Sequence, residues 1–318
     1  MNSSYVVGID VGGQTSKIGV VDARGTVLAQ TVIRTDTYDQ VEPYIAELAE
    51  AVNKLIKESG TEGKVRGIGV GAPNGNYYTG TIENAPNLLW GRKRVEFSKL
   101  LSEAMGGLPV ALTNDANAAA VGEMTYGAAR GMKNFIMITL GTGVGSGIVI
   151  NGEVVYGHDG FAGELGHTAA VHNNGRACGC GKTGCLETYA SATGVARTAR
   201  EWLELSDEPS VLRSLDTIAS KDVYDAAKEG DNLALKVFDF TGKMLGRSFA
   251  DFIAFSAPEA IVLFGGLARA KEFLLGPIEE AMNANVLPLW RNKVKIVFSQ
   301  LKESDAAILG ASALAWEL

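Results

Sequence analysis

The sequence has few cysteines, no long apolar run and no basic cluster, and each scarcity excludes a class of protein. No stretch reaches eighteen consecutive apolar residues, so no transmembrane helix and no membrane partner are predicted. The first residues show neither the basic region nor the apolar segment of a secretory signal, which favours a cytoplasmic protein. The net charge is −7 without any lysine- or arginine-rich run, which argues against a nucleic-acid partner.

Apolar residues and glycine are well represented. Hydrophobic residues make up 46% of the 318 residues, which is enough for one or two substantial cores and favours two domains. Many of the 39 glycines lie in clusters directly after apolar runs. This arrangement predicts backbone that approaches a ligand closely, rather than a flexible linker.

The three cysteines and two of the three histidines lie in one segment, 163–187. Three thiols so close together cannot all pair as intrachain disulfides, and a reducing compartment favours metal binding. Three thiolates and one imidazole suit a tetrahedral structural zinc site. The predicted ligands are His167, Cys178, Cys180 and Cys185, with His172 as the rival histidine.

A strand followed by a polar glycine turn opens the chain, and the same pattern recurs about a domain's length later. Strand Tyr5–Ile9 runs into Asp10–Lys17, and strand Asn134–Leu140 runs into Gly141–Gly147. Further strands follow each turn. The repeat predicts a structural duplication in which two phosphate-binding turns face each other across a cleft.

Each residue type in the first turn has a predicted role. Asp10 ends a strand and could hold Mg²⁺ directly or through water. The predicted phosphate donors are Gly12, Gly13, Thr15, Ser16 and Lys17. The alternative is an ordinary hairpin with a tight turn.

Two further strand ends carry candidate residues. Asp115 lies where strand 109–112 gives way to an alanine-rich helix, a position at which ligands collect in α/β sheets. Its alternative role is that of an acid stabilised by the helix dipole. The pair Gly265-Gly266 follows strand 258–264 and suits a nucleotide base and ribose.

Apolar spacing predicts the other elements. Helices are expected at 38–59, 97–105, 190–205, 220–229, 232–256, 273–282 and 306–316, and the segment 81–90 is expected to be a loop.

Together these motifs resemble the ROK family of repressors, open reading frames and sugar kinases. The most specific part is C-x-C-G-x-x-G-C-L-E preceded by G-E-x-G-H, and the likeness covers nearly the whole chain. The other matching motifs are Asp10–Thr15, Ala85-Pro-Asn87, Asn114-Asp115, Gly141–Gly147 and Gly265-Gly266.

The resemblance implies an actin-like ATPase (ribonuclease H-like) α/β fold, with two domains and a central cleft. The first domain would span 1–115, with a helix at about 304–318 packing back on it. The second would span 116–303 and include the zinc segment. The resemblance also implies ATP-dependent phosphorylation of a hexose, with D-glucose as the favoured substrate. The protein would be a homodimer that uses ATP, Mg²⁺ and structural Zn²⁺.

Roles follow from the resemblance residue by residue. Asp115 matches the catalytic base. The residues that match sugar ligands are Asn87, Asn114, Asp115, Glu164, His167 and Glu187. Those that match the phosphate turns are Gly12, Gly13, Thr15, Gly141, Thr142 and Gly143, while Gly265 and Gly266 match the adenosine side. One departure is Gly71-Ala-Pro-Asn74, which replaces a more usual proline-glycine pair in a loop expected near the sugar.

Three other functions stay open. The first is a kinase for another hexose, such as N-acetylmannosamine, N-acetylglucosamine, fructose or allose. The second is a sugar-sensing regulator, although family repressors carry a helix-turn-helix for which residues 1–10 leave no room. The third is a zinc-ribbon binding module without catalysis.

Overall fold

The computed structural model describes residues 4–318, apart from the side chains of residues 303 and 304, and the chain divides into two compact units. Unit 1 is the described part of Met1–Met132 with Glu153–Gly163 and Gln300–Leu318. Unit 2 is Lys133–Gly152 with Glu164–Ser299. The boundary predicted at residue 115 stays a prediction; in the contacts of the structure, the helix that begins there belongs to unit 1.

The strands and helices are numbered in chain order. The strands are β1 (Tyr5–Val11), β2 (Thr15–Asp22), β3 (Val27–Arg34), β4 (Val65–Gly71), β5 (Gly75–Asn76), β6 (Thr81–Glu83), β7 (Arg94–Val95), β8 (Val110–Thr113), β9 (Phe135–Leu140), β10 (Val144–Ile150), β11 (Glu153–Val154), β12 (Ala260–Phe264) and β13 (Lys295–Phe298). The α-helices are α1 (Val41–Glu58), α2 (Phe97–Ala104), α3 (Asp115–Tyr126), α4 (Glu187–Ala190), α5 (Ala192–Leu205), α6 (Ser220–Lys228), α7 (Asn232–Ser256), α8 (Lys271–Asn285) and α9 (Glu303–Leu314). Short 3₁₀ helices span Leu165–His167, Val211–Ser214, Gly266–Ala270, Pro288–Trp290 and Ala315–Glu317.

The main sheet of unit 1 has the strand order β3-β2-β1-β4-β8. Strands β1, β2 and β3 form an antiparallel meander, whereas β4 lies parallel to β1 and β8 parallel to β4. The carboxyl ends of these three parallel strands therefore meet at one edge of the sheet, where open α/β sheets bind ligands. Asp10, Gly71 and Thr113 all lie at this edge.

Unit 2 repeats this arrangement. Its strands run in the order β10-β9-β12-β13, with β10 antiparallel to β9 and both β12 and β13 parallel to it. A turn at Asn151-Gly152, both with positive φ, then leads into β11. Positive φ at both positions matches the right-handed twist of a hairpin. The duplication predicted from the two glycine turns is thus present in the strand order.

The C-terminal helix α9 packs directly on the sheet of unit 1. A Cβ atom at Gly8 would lie 2.1 Å from the carbonyl oxygen of Ile308, and one at Gly69 would lie 1.9 Å from that of Ala311. Glycine is therefore required on β1 and β4, because helix backbone occupies the space of a side chain. Residues 308–314 are all buried, so α9 forms part of the core of unit 1.

Most predicted elements are present, with three corrections. The segment 81–90 is not all loop, because β6 pairs with β5 and β7. The helix expected at 190–205 is interrupted at Ser191, which caps α5 by accepting a hydrogen bond from the Gly194 amide. The glycine turns are shorter than predicted, since β2 begins at Thr15 and β10 at Val144. No helix among the described residues is long and apolar enough to cross a membrane.

Candidate functional site

The first glycine turn, between β1 and β2, is closed by its own backbone. The Gly12 amide donates to the Thr15 carbonyl at 3.0 Å. A Cβ at Gly13 would lie 2.8 Å from the carbonyl oxygen of Asn87. The turn therefore packs against the loop that carries Asn87, so two elements predicted to bind different ligands lie side by side.

One predicted phosphate donor faces the wrong way. Ser16 is buried, and its hydroxyl lies 2.7 Å from both Thr35 Oγ1 and Tyr44 OH. The prediction that Ser16 contacts phosphate is wrong, because alternate residues of a strand point to opposite faces. Thr15 and Lys17 lie on the other face of β2, and Lys17 pairs directly with Asp10.

Asn114 and Asp115 occupy successive positions where β8 meets α3. Asn114 is the helix cap, since its Oδ1 accepts from the Asn117 amide at 2.7 Å. Asp115 is the first helical residue, and its Oδ1 accepts from the Ala116 amide at 2.9 Å. Asn114 thus makes the capping hydrogen bond, while Asp115 is an acid in the first turn of α3, as its alternative role at the helix dipole requires.

Asp10 and Asp115 both have raised pKa values. Burial is the main cause of the rise in the Asp10 pKa to about 6, Asp115 adds to it by charge repulsion, and Lys17 opposes it. The pKa of Asp115 is raised by desolvation, against the lowering effect of the Ala116 amide. Solvent still reaches the Asp115 side chain, so this carboxyl is accessible while protein around it weakens its hydration. The Asp10 carboxylate is an oxygen ligand of the kind that Mg²⁺ prefers.

The second glycine turn, between β9 and β10, is closed in the same way as the first. The Gly141 amide donates to the Gly143 carbonyl at 3.0 Å. The start of α5 holds the turn from outside: the Ala192 amide donates to the Gly141 carbonyl and Thr193 Oγ1 to the Thr142 carbonyl, both at 2.9 Å. Ser191 before α5 is a local sequence signal for the start of this helix, but the contacts of the helix with the turn leave no such signal.

The glycine pair after β12 lies against the start of this second turn. Gly265 has φ of +104°, and a Cβ there would lie 2.6 Å from the Leu140 carbonyl oxygen. Both its conformation and its surroundings therefore require glycine. Gly266 begins the 3₁₀ helix that follows.

The four predicted metal ligands come together in unit 2. Their ligand atoms lie within 4.8 Å of one another. Cys180 Sγ is 3.7 Å from Cys185 Sγ, and Cys178 Sγ is 3.7 Å from His167 Nδ1. A tetrahedral zinc with Zn–S bonds of about 2.3 Å requires sulfur atoms about 3.8 Å apart. The residues therefore fit zinc, and the rival His172 is exposed and outside this group.

Backbone contacts within segment 163–187 bring the predicted metal ligands together. The Cys178 amide donates to the Lys182 carbonyl at 2.9 Å, and the Gly181 amide donates back to the Cys178 carbonyl at 3.1 Å. Lys182 Nζ donates to the His167 carbonyl at 2.8 Å. This tight hairpin points the sulfur atoms of Cys178 and Cys180 to one side, as a closed structural zinc site requires.

The acids at the two ends of the segment are placed differently. Glu164 is exposed and directly precedes the 3₁₀ helix that ends at His167, whose amide donates to the Glu164 carbonyl at 3.1 Å. Glu187 begins α4 and is half-buried. Its Oε2 accepts from the Val144 amide at 3.0 Å, and its Oε1 lies 3.8 Å from Cys178 Sγ. Glu187 therefore contacts both the predicted metal ligand Cys178 and the end of the second turn.

Arg176 was not predicted as a site residue, yet it connects segment 163–187 to α5. Its guanidinium donates to Glu201 Oε2 and to the Thr188 carbonyl, and lies 4.6 Å from the centre of the Tyr189 ring. The partners are up to 25 residues away, so local sequence spacing carries no signal for this contact.

Comparison with known proteins identifies the family. The model of the ROK family matches residues 6–317. A glucokinase from Halalkalibacterium halodurans is 39% identical over 98% of this chain and 94% of its own length. The crystal structure of a ROK glucokinase from Streptomyces griseus, in complex with glucose and AMPPNP, superposes with a TM-score of 0.81 at 32% identity, covering 99% of this chain and 100% of that one.

A ROK transcriptional regulator homologous to the E. coli MLC protein superposes with a TM-score of 0.88 at 29% identity, covering 98% of this chain and 78% of that one. Its architecture and that of the kinases correspond to the predicted α/β actin-like ATPase fold, which is confirmed. The predicted family is confirmed as well. The chain belongs to the ROK family.

Proposed function

We propose that the protein is an ATP-dependent hexose kinase that converts D-glucose to glucose 6-phosphate. The observation that carries the proposal is similarity to glucokinases over nearly the whole length of both chains, including one structure that holds glucose and AMPPNP. The placement of Asp115 adds chemical support, because an accessible carboxyl with a raised pKa suits a group that receives a proton.

Asp115 is proposed as the catalytic base. One of its oxygens is held by the Ala116 amide, which fixes the direction of the other. That second oxygen would accept the proton of the attacking sugar hydroxyl and orient the hydroxyl toward the phosphoryl group. A pKa above that of an ordinary aspartate makes the carboxylate a stronger base near neutral pH. Positioning still supplies most of the catalysis in phosphoryl transfer.

The two glycine turns are proposed to bind the nucleotide. Backbone amides of Gly12, Gly13 and Gly141–Gly143, with the side chains of Thr15, Lys17 and Thr142, would donate to phosphate oxygens. Gly265 and Gly266 would lie beside adenosine. Asp10 would hold Mg²⁺, which neutralises charge on the phosphates when it is bound.

The sugar ligands are proposed to be amides, carboxylates and one imidazole, at Asn87, Asn114, Asp115, Glu164, His167 and Glu187. Such groups discriminate between hexoses because a wrong epimer leaves buried polar groups unpaired. His167 directs Nδ1 toward Cys178, so Nε2 is the nitrogen that would meet a sugar hydroxyl. Zinc held by His167, Cys178, Cys180 and Cys185 would be structural, and would orient this imidazole.

The second candidate function is sugar sensing without catalysis, which the superposition on a ROK regulator favours. A kinase for another hexose stays an alternative, since the segment Gly71-Ala-Pro-Asn74 departs from the usual pattern. For either function we propose a homodimer in the cytoplasm.

A coupled assay of ADP release tests the proposal. The purified protein is supplied with Mg²⁺-ATP and a panel of glucose, mannose, fructose, allose, N-acetylglucosamine and N-acetylmannosamine. Glucose is expected to give the highest kcat/KM, and Asp115→Asn to lower kcat by roughly 10²–10⁴. A different preferred sugar would support the alternative kinase. Sugar binding without any ADP release would support the regulator and contradict the proposal.

A further inference from the structure

Glu187, a predicted sugar ligand, also contacts the second glycine turn. Its Oε2 accepts from the Val144 amide at 3.0 Å, directly after Gly141–Gly143. Its Oε1 lies 3.8 Å from Cys178 Sγ on the metal side. One carboxylate thus joins the two parts of unit 2 to which separate ligands have been assigned.

The turn is shaped to hold this carboxylate. A Cβ at Gly143 would lie 2.3 Å from Glu187 Oε2 and 3.1 Å from its Cδ, whereas a Cβ at Gly141 would meet nothing within 4 Å. Only the second of the two glycines is required by a side-chain contact. The absence of a side chain at position 143 is what allows Glu187 to reach the Val144 amide.

The carbonyl groups of the turn accept hydrogen bonds from residues that are not predicted sugar ligands. Ala192 and Thr193, at the start of α5, bind the carbonyls of Gly141 and Thr142. The Val144 amide, by contrast, donates to Glu187, which is a predicted sugar ligand. A movement of the Glu187 carboxylate therefore changes the hydrogen bonding of the turn, and a movement of the turn changes the direction of the carboxylate.

We propose that Glu187 couples sugar affinity to nucleotide affinity, an inference that rests on the proposed function. A sugar hydroxyl donating to Oε1 fixes the side chain with Oε2 on the Val144 amide. The turn is then ordered before phosphates bind, which removes part of the cost of ordering it. Coupling between two ligands is reciprocal, so nucleotide tightens sugar binding by the same factor.

Zinc bound by His167 and the three cysteines would leave Oε1 available for this purpose. A cysteine that ligates zinc is a thiolate and has no proton to donate. With zinc bound, Cys178 therefore does not donate to Oε1, and this oxygen keeps its capacity to accept from a sugar hydroxyl. The coupling thus depends on the side chain of Glu187 and on its contact with the turn.

Two matched glycine substitutions test the proposal with the zinc-loaded chain. Gly143→Ala places a methyl group where Glu187 Oε2 lies, and the flexible side chain can move away without unfolding the turn. Gly276→Ala adds the same methyl group in open space, on helix α8 and outside the proposed binding residues. Calorimetry measures the dissociation constant of glucose, first alone and then with saturating AMPPNP, while zinc content and melting temperature report on folding.

For the wild type, AMPPNP is expected to tighten glucose binding by at least about fivefold. Gly143→Ala is expected to weaken glucose binding about tenfold without nucleotide and to bring the AMPPNP effect close to one, with zinc content unchanged. Gly276→Ala is expected to keep the wild-type affinity for glucose, both alone and with AMPPNP.

The proposal is overturned if Gly143→Ala binds glucose as the wild type does, or if AMPPNP still tightens its glucose binding to the wild-type extent. Wild-type protein that binds glucose without any effect of AMPPNP overturns it too, while leaving the kinase function intact. Wild-type protein that neither binds nor phosphorylates glucose instead refutes the proposed function, and the coupling with it.

Discussion

Arg176 and Glu201 form an ion pair between the metal segment and helix α5. The guanidinium donates to Glu201 Oε2 from Nε at 3.1 Å and from Nη2 at 2.5 Å, and the Arg176 side chain is only 9% exposed. The same helix begins with the residues that bind the carbonyls of Gly141 and Thr142. The pair therefore connects segment 163–187 to α5, the helix whose first residues bind the second glycine turn.

Replacing Arg176 with alanine should destabilise unit 2. Removing one member of a largely buried pair leaves Glu201 with a weaker partner and leaves the Thr188 carbonyl without this donor, which should cost about 1–3 kcal/mol. Arg197 also binds Glu201, but it is 40% exposed and lies one helical turn away. Arg197→Ala is therefore the matched control and should cost less than about 1 kcal/mol. Urea unfolding measures both, and equal losses would contradict a special role for Arg176.

Zinc removal should affect stability and sugar binding together. Metal analysis is expected to find about one zinc per chain, since the four ligand atoms already lie within 4.8 Å of one another. Cys185→Ser should lose the metal, lower the melting temperature and weaken glucose binding. His172→Ala, outside the ligand group, should keep the metal content of the wild type. Full activity after complete removal of zinc would contradict the structural role.

Asp10→Asn should stabilise the protein at pH 7 while lowering its activity. The Asp10 pKa is raised from 3.8 to about 6, so the folded state binds more protons than the unfolded state between those pH values. Stability from this group is therefore greatest at low pH and is lost as pH rises through about 6. Removing the charge should gain on the order of 1 kcal/mol at pH 7, and the gain should shrink toward pH 4. Thermal melts of both proteins without added Mg²⁺ at several pH values measure this, and a gain that does not change with pH would contradict it.

The activity of the proposed kinase should fall on the acid side at a pH above the pKa of an ordinary aspartate, about 3.9. Asp115 must be ionised to accept a proton, and desolvation raises its pKa. As the pH falls through that raised value, the carboxylate is protonated and kcat should decrease. A profile of kcat against pH at saturating substrates measures this decrease, the acid limb of the profile. The residual activity of Asp115→Asn should lack it, and an unchanged acid limb in this variant would assign the limb to another group.

Several features of the candidate site were predicted from local sequence. The metal ligands follow from three thiols and an imidazole within one short segment, and the repeat follows from two glycine turns that each succeed an apolar strand. Asp115 was identified at the end of β8 because strand and helix patterns meet there. In each case neighbours along the chain carry the chemical signal.

Other features could not be read in this way. Ser16 has the composition of a phosphate donor, but the pleat of β2 turns its hydroxyl toward Thr35 and Tyr44. The sequence predicts one continuous helix over 190–205, whereas Ser191 caps a new helix whose first residues, Ala192 and Thr193, bind the second turn. Arg176 and Glu201 look like ordinary surface charges in sequence, since nothing local brings them together.

By itself, the sequence determined the family, the group of one histidine and three cysteines predicted to bind zinc, and the positions of the glycine turns, because these depend on residue type and short spacing. Only the tertiary structure decided which side chains reach those features. It turned Ser16 inward, placed Glu187 on the Val144 amide and joined Arg176 to α5. The physical reason is that these contacts depend on how strands and helices pack over long stretches of chain, and pairwise geometry of that kind leaves no periodic mark in the sequence.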